Sequence, residues 1–120
     1  MAKRVLVIDD DEDILALLNI IFQENGYDIV LSNTGEAAEH IRVIHPDIVL
    51  LDVRINGSEK SGAEICREIK ANYETKDFPV MLMSAESDLA FIAEECGANS
   101  YITKPFDIFD LISQVKQYIS

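Results

Sequence analysis

Several things are scarce in this chain of 120 residues, and each shortage removes a class of function. Cysteine occurs only twice, as Cys66 and Cys96, with no CxxC pair. On separate apolar helical faces they read as small core residues rather than a disulfide or zinc site. Basic residues number 10 against 22 acidic ones, a formal net charge of −12. Counterion release, which drives binding to phosphate backbones, works against so negative a surface, so direct nucleic-acid binding is not expected. No apolar run approaches the roughly 20 residues of a membrane span, and the run after Lys3 and Arg4 is too short for a signal-peptide core. A cytoplasmic protein without a membrane partner is expected. Repeats, low-complexity tracts and linkers are missing as well.

What is present fits one globular domain over residues 1–120. Apolar residues make up 48% and charged residues 27%, enough for a real core. Apolar runs recur as VLVI (5–8), DIVL (28–31), DIVLL (47–51), VMLM (80–83) and YIT (101–103). Several are continuous rather than alternating, which predicts strands covered on both faces in a parallel sheet. Helical spacing fills the gaps. The first helix carries Ile14, Leu17, Leu18, Ile21 and Phe22 and stops at Asn25-Gly26. The second is expected to be capped by Asn33 or Thr34, to carry Ala37, Ile41 and Ile44, and to stop before Pro46. The third uses Ile65, Cys66 and Ile69, the fourth Leu89, Ile92 and Cys96, and the fifth Phe109, Ile112, Val115 and Ile119. Five strands alternating with five helices predict a doubly wound α/β fold, because each parallel crossover needs a covering helix.

In such a sheet the ligand site lies beyond the carboxyl ends of the strands, where the strand order reverses. Strand one ends in Asp9 and Asp10, strand three in Asp52, strand four in Ser84, and strand five in Lys104-Pro105. Two carboxylates about 4 Å apart repel by about 4 kcal/mol at an effective dielectric near 20, so three in one pocket require a proton or a divalent cation. All-oxygen ligands favour Mg2+, with Mn2+ as a substitute. A partly hydrated dication beside a lysine and a hydroxyl suits a phosphoryl group, and an aspartate there can act as nucleophile to give an acyl phosphate. Asp11, Glu12 and Asp13 read as a helix start, where negative charge is favourable. His40 and His45 read as surface residues without a role.

Together VLVIDDDEDI, DIVLLDVRI, VMLMSA and SYITKPF resemble the receiver domain of two-component response regulators, in the right order over nearly the whole chain. The resemblance implies a flavodoxin-like, five-stranded parallel sheet of order 2-1-3-4-5 with five helices. It implies Asp52 as phosphoacceptor, charged from a phosphohistidine of a sensor histidine kinase or a histidine phosphotransfer protein. It implies Mg2+ on Asp10, on Asp9 directly or through water, on Asp52 and on the backbone carbonyl of Arg54. Lys104 would pair with Asp52 at rest and with phosphoryl oxygens afterwards, and the Lys104–Pro105 peptide would be cis. Ser84 would donate its hydroxyl to the phosphoryl group, and Tyr101 would be the aromatic switch that follows it. The downstream target would read a surface of helix four, strand five and helix five. The module would catalyse its own phosphorylation and dephosphorylation.

The chain departs from that pattern where the family usually has proline four residues after the phosphoacceptor; here Asn56 stands, and the stretch RINGSEKSG (54–62) reaches Gly62 about two residues late. Arg54 and Glu86 occupy positions that tune water access to the acyl phosphate, and their opposite charges suggest a pair across the mouth. Two other functions share part of the signal. A haloacid-dehalogenase-like phosphatase also begins Asp-x-Asp, as in Asp9 and Asp11, yet Asp13 stands where threonine or valine is required. A flavodoxin-like redox carrier shares the topology, but carboxylates in its first loop would repel the cofactor phosphate.

Overall fold

The computed structural model describes residues 2–119. Five strands form one parallel sheet: β1 (Arg4–Ile8), β2 (Asp28–Ser32), β3 (Ile48–Asp52), β4 (Val80–Ser84) and β5 (Ser100–Thr103), in the order β2-β1-β3-β4-β5. The helices are α1 (Glu12–Glu24), α2 (Ile41–Ile44), α3 (Gly62–Ala71), α4 (Leu89–Cys96) and α5 (Ile108–Ile119), with a 3-10 helix (Gly35–His40) running into α2. This is the expected doubly wound arrangement.

The continuous apolar runs have a direct cause: alternate residues of each central strand feed two different cores. Val5, Val7, Leu50, Met81 and Met83 face α1 and α5, where Leu18, Phe22, Leu111 and Val115 are fully buried. Leu6, Ile8, Val49, Leu51, Val80 and Leu82 face the other way, against Ile41 of α2, Ile65 and Ile69 of α3, and Leu89 and Ala93 of α4. Each large side chain fully buried this way contributes roughly 1.5–3 kcal/mol of transfer free energy.

Local signals set the helix ends. Asp11 caps α1, its carboxylate accepting from the backbone N–H groups of Asp13 and Ile14. Ser61 caps α3 by accepting from Glu64 N–H at 3.1 Å. Gly26 and Gly97 follow α1 and α4 with positive φ of 84° and 80°.

Three expectations need correction. The second helix is mostly 3-10: Thr34 makes no side-chain cap, and the Ser32 hydroxyl holds its backbone instead, donating to Thr34 C=O and accepting from Thr34 N–H. Only the last four residues relax into α-helix. Phe109, expected inward, is 86% exposed, while Leu111 is fully buried. The two lie about 200° apart around a helix, and the phase is set where Asp107 accepts from Phe109 and Asp110 N–H. Leu17 likewise turns outward at 41% exposure, because Leu15 and Leu18 take the core face. The two cysteines are free, buried core residues on separate helices, as expected, and Cys66 Sγ lies 3.5 Å from the carbonyl of Cys96 across the α3–α4 contact.

Candidate functional site

Strand register brings the site together. Ile8 pairs with Leu51, Asp52 with Met83, and Ser84 with Thr103, so the residues that end four strands share one rim of the sheet. That rim includes the point between β1 and β3 where the order reverses. Asp9, Asp10 and Asp52 each offer a carboxylate oxygen, all within 4.8 Å of one another. Asp9 is fully buried and Asp52 is 7% exposed, whereas Asp10 is half-buried.

Each carboxylate has a defined set of partners. Asp9 Oδ1 accepts from Asp11 N–H at 2.9 Å, and Asp9 Oδ2 accepts from Lys104 Nζ at 2.7 Å. Lys104 Nζ stands 3.5 Å from Asp52 Oδ1, so at rest the ammonium sits closer to Asp9 than to Asp52. The deeper burial of Asp9 makes it the group most in need of a counter-charge. The Lys104–Pro105 peptide is cis. Asp10 Oδ2 accepts from Asn56 N–H at 3.3 Å.

One ammonium against three carboxylates leaves an excess of negative charge. Asp52 responds to it: burial, reinforced by the Asp9 charge and by the Asp10 side chain, pushes its carboxyl up to about 7, although Lys104 and the Arg54 backbone N–H pull the other way. In the metal-free protein Asp52 therefore holds a proton over part of the range up to neutrality. The donor set fits magnesium: all ligand atoms are hard oxygens, and two carboxylates beyond the Lys104 charge match one dication.

Around this centre the other expected residues take these places. Ser84 is buried at the end of β4, and its Oγ accepts from Glu86 N–H at 3.0 Å, leaving its own proton free to donate. Tyr101 lies on the edge strand β5, 42% exposed, with its ring turned partly to solvent. Arg54 and Glu86 form an ion pair between the loop after β3 and the segment after β4. Gly62 closes the loop after β3. Its N–H donates to Val53 C=O at 2.7 Å, and an added Cβ would lie 1.9 Å from the Asp52 carbonyl oxygen, so only glycine fits.

Sequence reasoning missed the Asn56 backbone donor to Asp10. The signal was there in the absent proline, since proline has no N–H to give. The pairing of Lys104 with Asp52 that the resemblance implies is present at 3.5 Å; the closer contact with Asp9 was not foreseen, because nothing in the spacing tells which carboxylate is deeper.

Comparison with known proteins decides the family. Residues 5–116 match the response regulator receiver domain. The chain belongs to that family. Similar solved structures include a response regulator from Chloroflexus aurantiacus J-10-fl, at 28% identity and a TM-score of 0.90, the match covering 99% of this chain and 98% of that one. The receiver domain of a signal transduction histidine kinase from Syntrophus aciditrophicus is 30% identical with a TM-score of 0.89, over 98% of this chain and 90% of the other. NtrX from Brucella abortus is also 30% identical with a TM-score of 0.87; this chain is covered to 99% and spans 27% of that longer protein. As a receiver domain the protein is a phosphoacceptor module of two-component signalling, and receiver domains work with histidine kinases or phosphotransfer proteins. Receiver domains bind Mg2+ at an acidic pocket, and here the acidic cluster is Asp9, Asp10 and Asp52. Among the described residues no helix is long and apolar enough to cross a membrane.

Proposed function

We propose that residues 1–120 act as one receiver domain in which Asp52 takes a phosphoryl group from a phosphohistidine, catalysing its own modification and its later hydrolysis. The observation that carries this reading is the convergence of Asp9, Asp10 and Asp52 within 4.8 Å beside the Lys104 ammonium. Asp9, Asp10, Asp52 and the Arg54 carbonyl would hold Mg2+. That ion, when bound, offsets charge on the phosphoryl oxygens.

The residues divide the remaining work. Asp52 gives its proton to solvent as the metal site fills, and its carboxylate oxygen then attacks phosphorus. The P–N bond to the donor imidazole breaks, its electron pair stays on nitrogen, and that nitrogen takes a proton from water. Lys104, already between Asp9 and Asp52, moves onto a phosphoryl oxygen without crossing the pocket. Ser84 turns its free proton to a second oxygen, and giving up its bond to Glu86 N–H loosens the segment that leads to α4. Tyr101 then has room to move inward, altering the face made by α4, β5 and α5. The kinase or phosphotransfer partner and the cytoplasmic setting belong to this reading, as does the absence of a nucleic-acid or membrane partner, which the net charge of −12 supports.

The test is incubation with Mg2+ and acetyl phosphate. Wild type should acquire an acid-stable, hydroxylamine-labile phosphate and Asp52→Asn should acquire none. Labelling of Asp52→Asn to the wild-type extent would overturn the reading, and sustained hydrolysis of an unrelated phosphate ester would favour a phosphatase.

A further inference from the structure

A cavity of about 540 Å³ lies away from Asp52, between the 3-10 helix with α2 on one side and α3 on the other. That falls within the roughly 300–1,000 Å³ usual for ligand-binding pockets. Its near wall is the second crossover, mostly a slender 3-10 helix, set against α3, whose Ile65 and Ile69 show only their outer edges at 5% exposure each. Its floor is apolar, formed by Ile41, Ile65 and Ile69 with Ala38 at the side. Its rim is acidic: Glu36, Glu39, Glu59 and Glu68 stand against two cations, Arg42 and Lys60. Both cations are already engaged, Lys60 with Glu68 at 2.7 Å and Arg42 with Glu74. Glu36, Glu39 and Glu59 make no ion pair among the described residues.

The groove is built rather than left over. Gly35 lets the start of the 3-10 helix press onto the opposite wall, where an added Cβ would lie 2.6 Å from Ser58 Oγ and 2.7 Å from Ile65 Cδ1. The far end is closed by Thr75, buried with its hydroxyl donating to Ile69 C=O at 2.7 Å. An apolar floor between two fixed walls accepts an apolar side chain, and unpaired carboxylates at the mouth select what flanks it.

From this charge complementarity we propose that the groove between the 3-10 helix and α3 docks a segment of a partner protein in which apolar anchor residues are flanked by lysine or arginine. The anchors would sit on Ile41, Ile65 and Ile69, and the basic flanks would meet Glu36, Glu39 and Glu59. The groove needs neither metal nor phosphate, so the test is made on the metal-free, unphosphorylated chain and its outcome is independent of the role given to Asp52.

The probe is a fluorescein-labelled synthetic peptide with two leucines among lysines, compared with one in which serine replaces the leucines. The leucine peptide should bind at least about tenfold more tightly, since a buried leucine is worth that much in apolar transfer. Backbone amide shifts in NMR spectra should cluster at residues 34–42, 57–60 and 65–75. Ala38→Trp, filling the groove, should erase the difference between the peptides. The pair Glu36→Lys and Glu39→Lys should weaken binding, whereas Glu94→Lys with Glu95→Lys, the same charge change on α4, should not. Equal binding of both peptides, shifts spread over the whole acidic surface, or equal effects of the two charge-reversed pairs would each overturn the proposal. So would concentration-dependent shifts of the groove amides without peptide, which would make a second copy of the chain the occupant. The charge-reversed pairs are exposed, so they decide the question even where Ala38→Trp fails to fold.

Discussion

Lys104 donates to Asp9 at 2.7 Å while standing 3.5 Å from Asp52, so one ammonium serves the buried carboxylate at rest and remains in reach of the proposed phosphoacceptor. Breaking that contact strands Asp9, which is fully buried. Lys104→Ala should therefore lose about 3 kcal/mol of stability without Mg2+, the lower end for an uncompensated buried charge because the lysine is partly exposed. Magnesium should bind at least as tightly as in wild type, since a competing cation has gone, and the phosphorylation-dependent change should disappear. Fluorescence titration with Mg2+ and urea melts check the two halves. Normal signalling by this variant would remove the role given to the lysine.

The raised Asp52 carboxyl makes stability depend on pH. In the unfolded chain it titrates near 4, in the metal-free native state at about 7. Between those values the native state holds more protons, so its contribution is full below pH 4 and is lost as pH rises through 7. Asp52→Asn should flatten this slope and stabilise the metal-free protein at pH 8, by up to about 4 kcal/mol. Urea melts of both proteins in EDTA at pH 5 and pH 8 measure the difference, and parallel pH profiles would refute the assignment. Magnesium acts with the opposite sign, binding more tightly as pH rises through 7, because its ligands must be deprotonated.

Gly62 sits where a methyl group would lie 1.9 Å from the Asp52 carbonyl oxygen and 2.9 Å from Val53 Cα. Gly62→Ala must displace the backbone that carries Asp52. The expected cost exceeds about 2 kcal/mol, with a matching drop in the rate of phosphorylation by acetyl phosphate. Gly26→Ala is the contrast. Its φ is 84° with open space around it, so it should cost only about 1 kcal/mol and leave phosphorylation unchanged. Thermal melts and labelling rates on both variants separate the two mechanisms.

The Arg54–Glu86 pair spans the mouth of the pocket, and Arg54 is an exposed residue. Exposed ion pairs add little to stability, so melting points of Arg54→Ala and Glu86→Ala should stay close to wild type. The lifetime of the acyl phosphate should instead fall in either variant as water gains access. In a double-mutant cycle the second substitution should add little to the first. Independent, additive effects on dephosphorylation would show that the pair is not the gate.

Much of this protein was legible in the chain itself. The uninterrupted runs at 5–8, 47–51 and 80–83 specify strands coated on both faces, and the carboxylates, hydroxyl and lysine that end them identify the rim where chemistry collects. Those features are one-dimensional: period, order and residue type survive in a linear string. Tertiary structure decided what depends on distance and depth. It turned Phe109 outward by fixing the phase of α5, made the second crossover a 3-10 helix, and set Cys66 against Cys96 across two helices. It also gave Lys104 to Asp9 and the Asn56 N–H to Asp10. Burial and Coulomb energies vary over a few ångströms, and those ångströms are fixed by packing between segments far apart in the sequence, which local pattern does not encode.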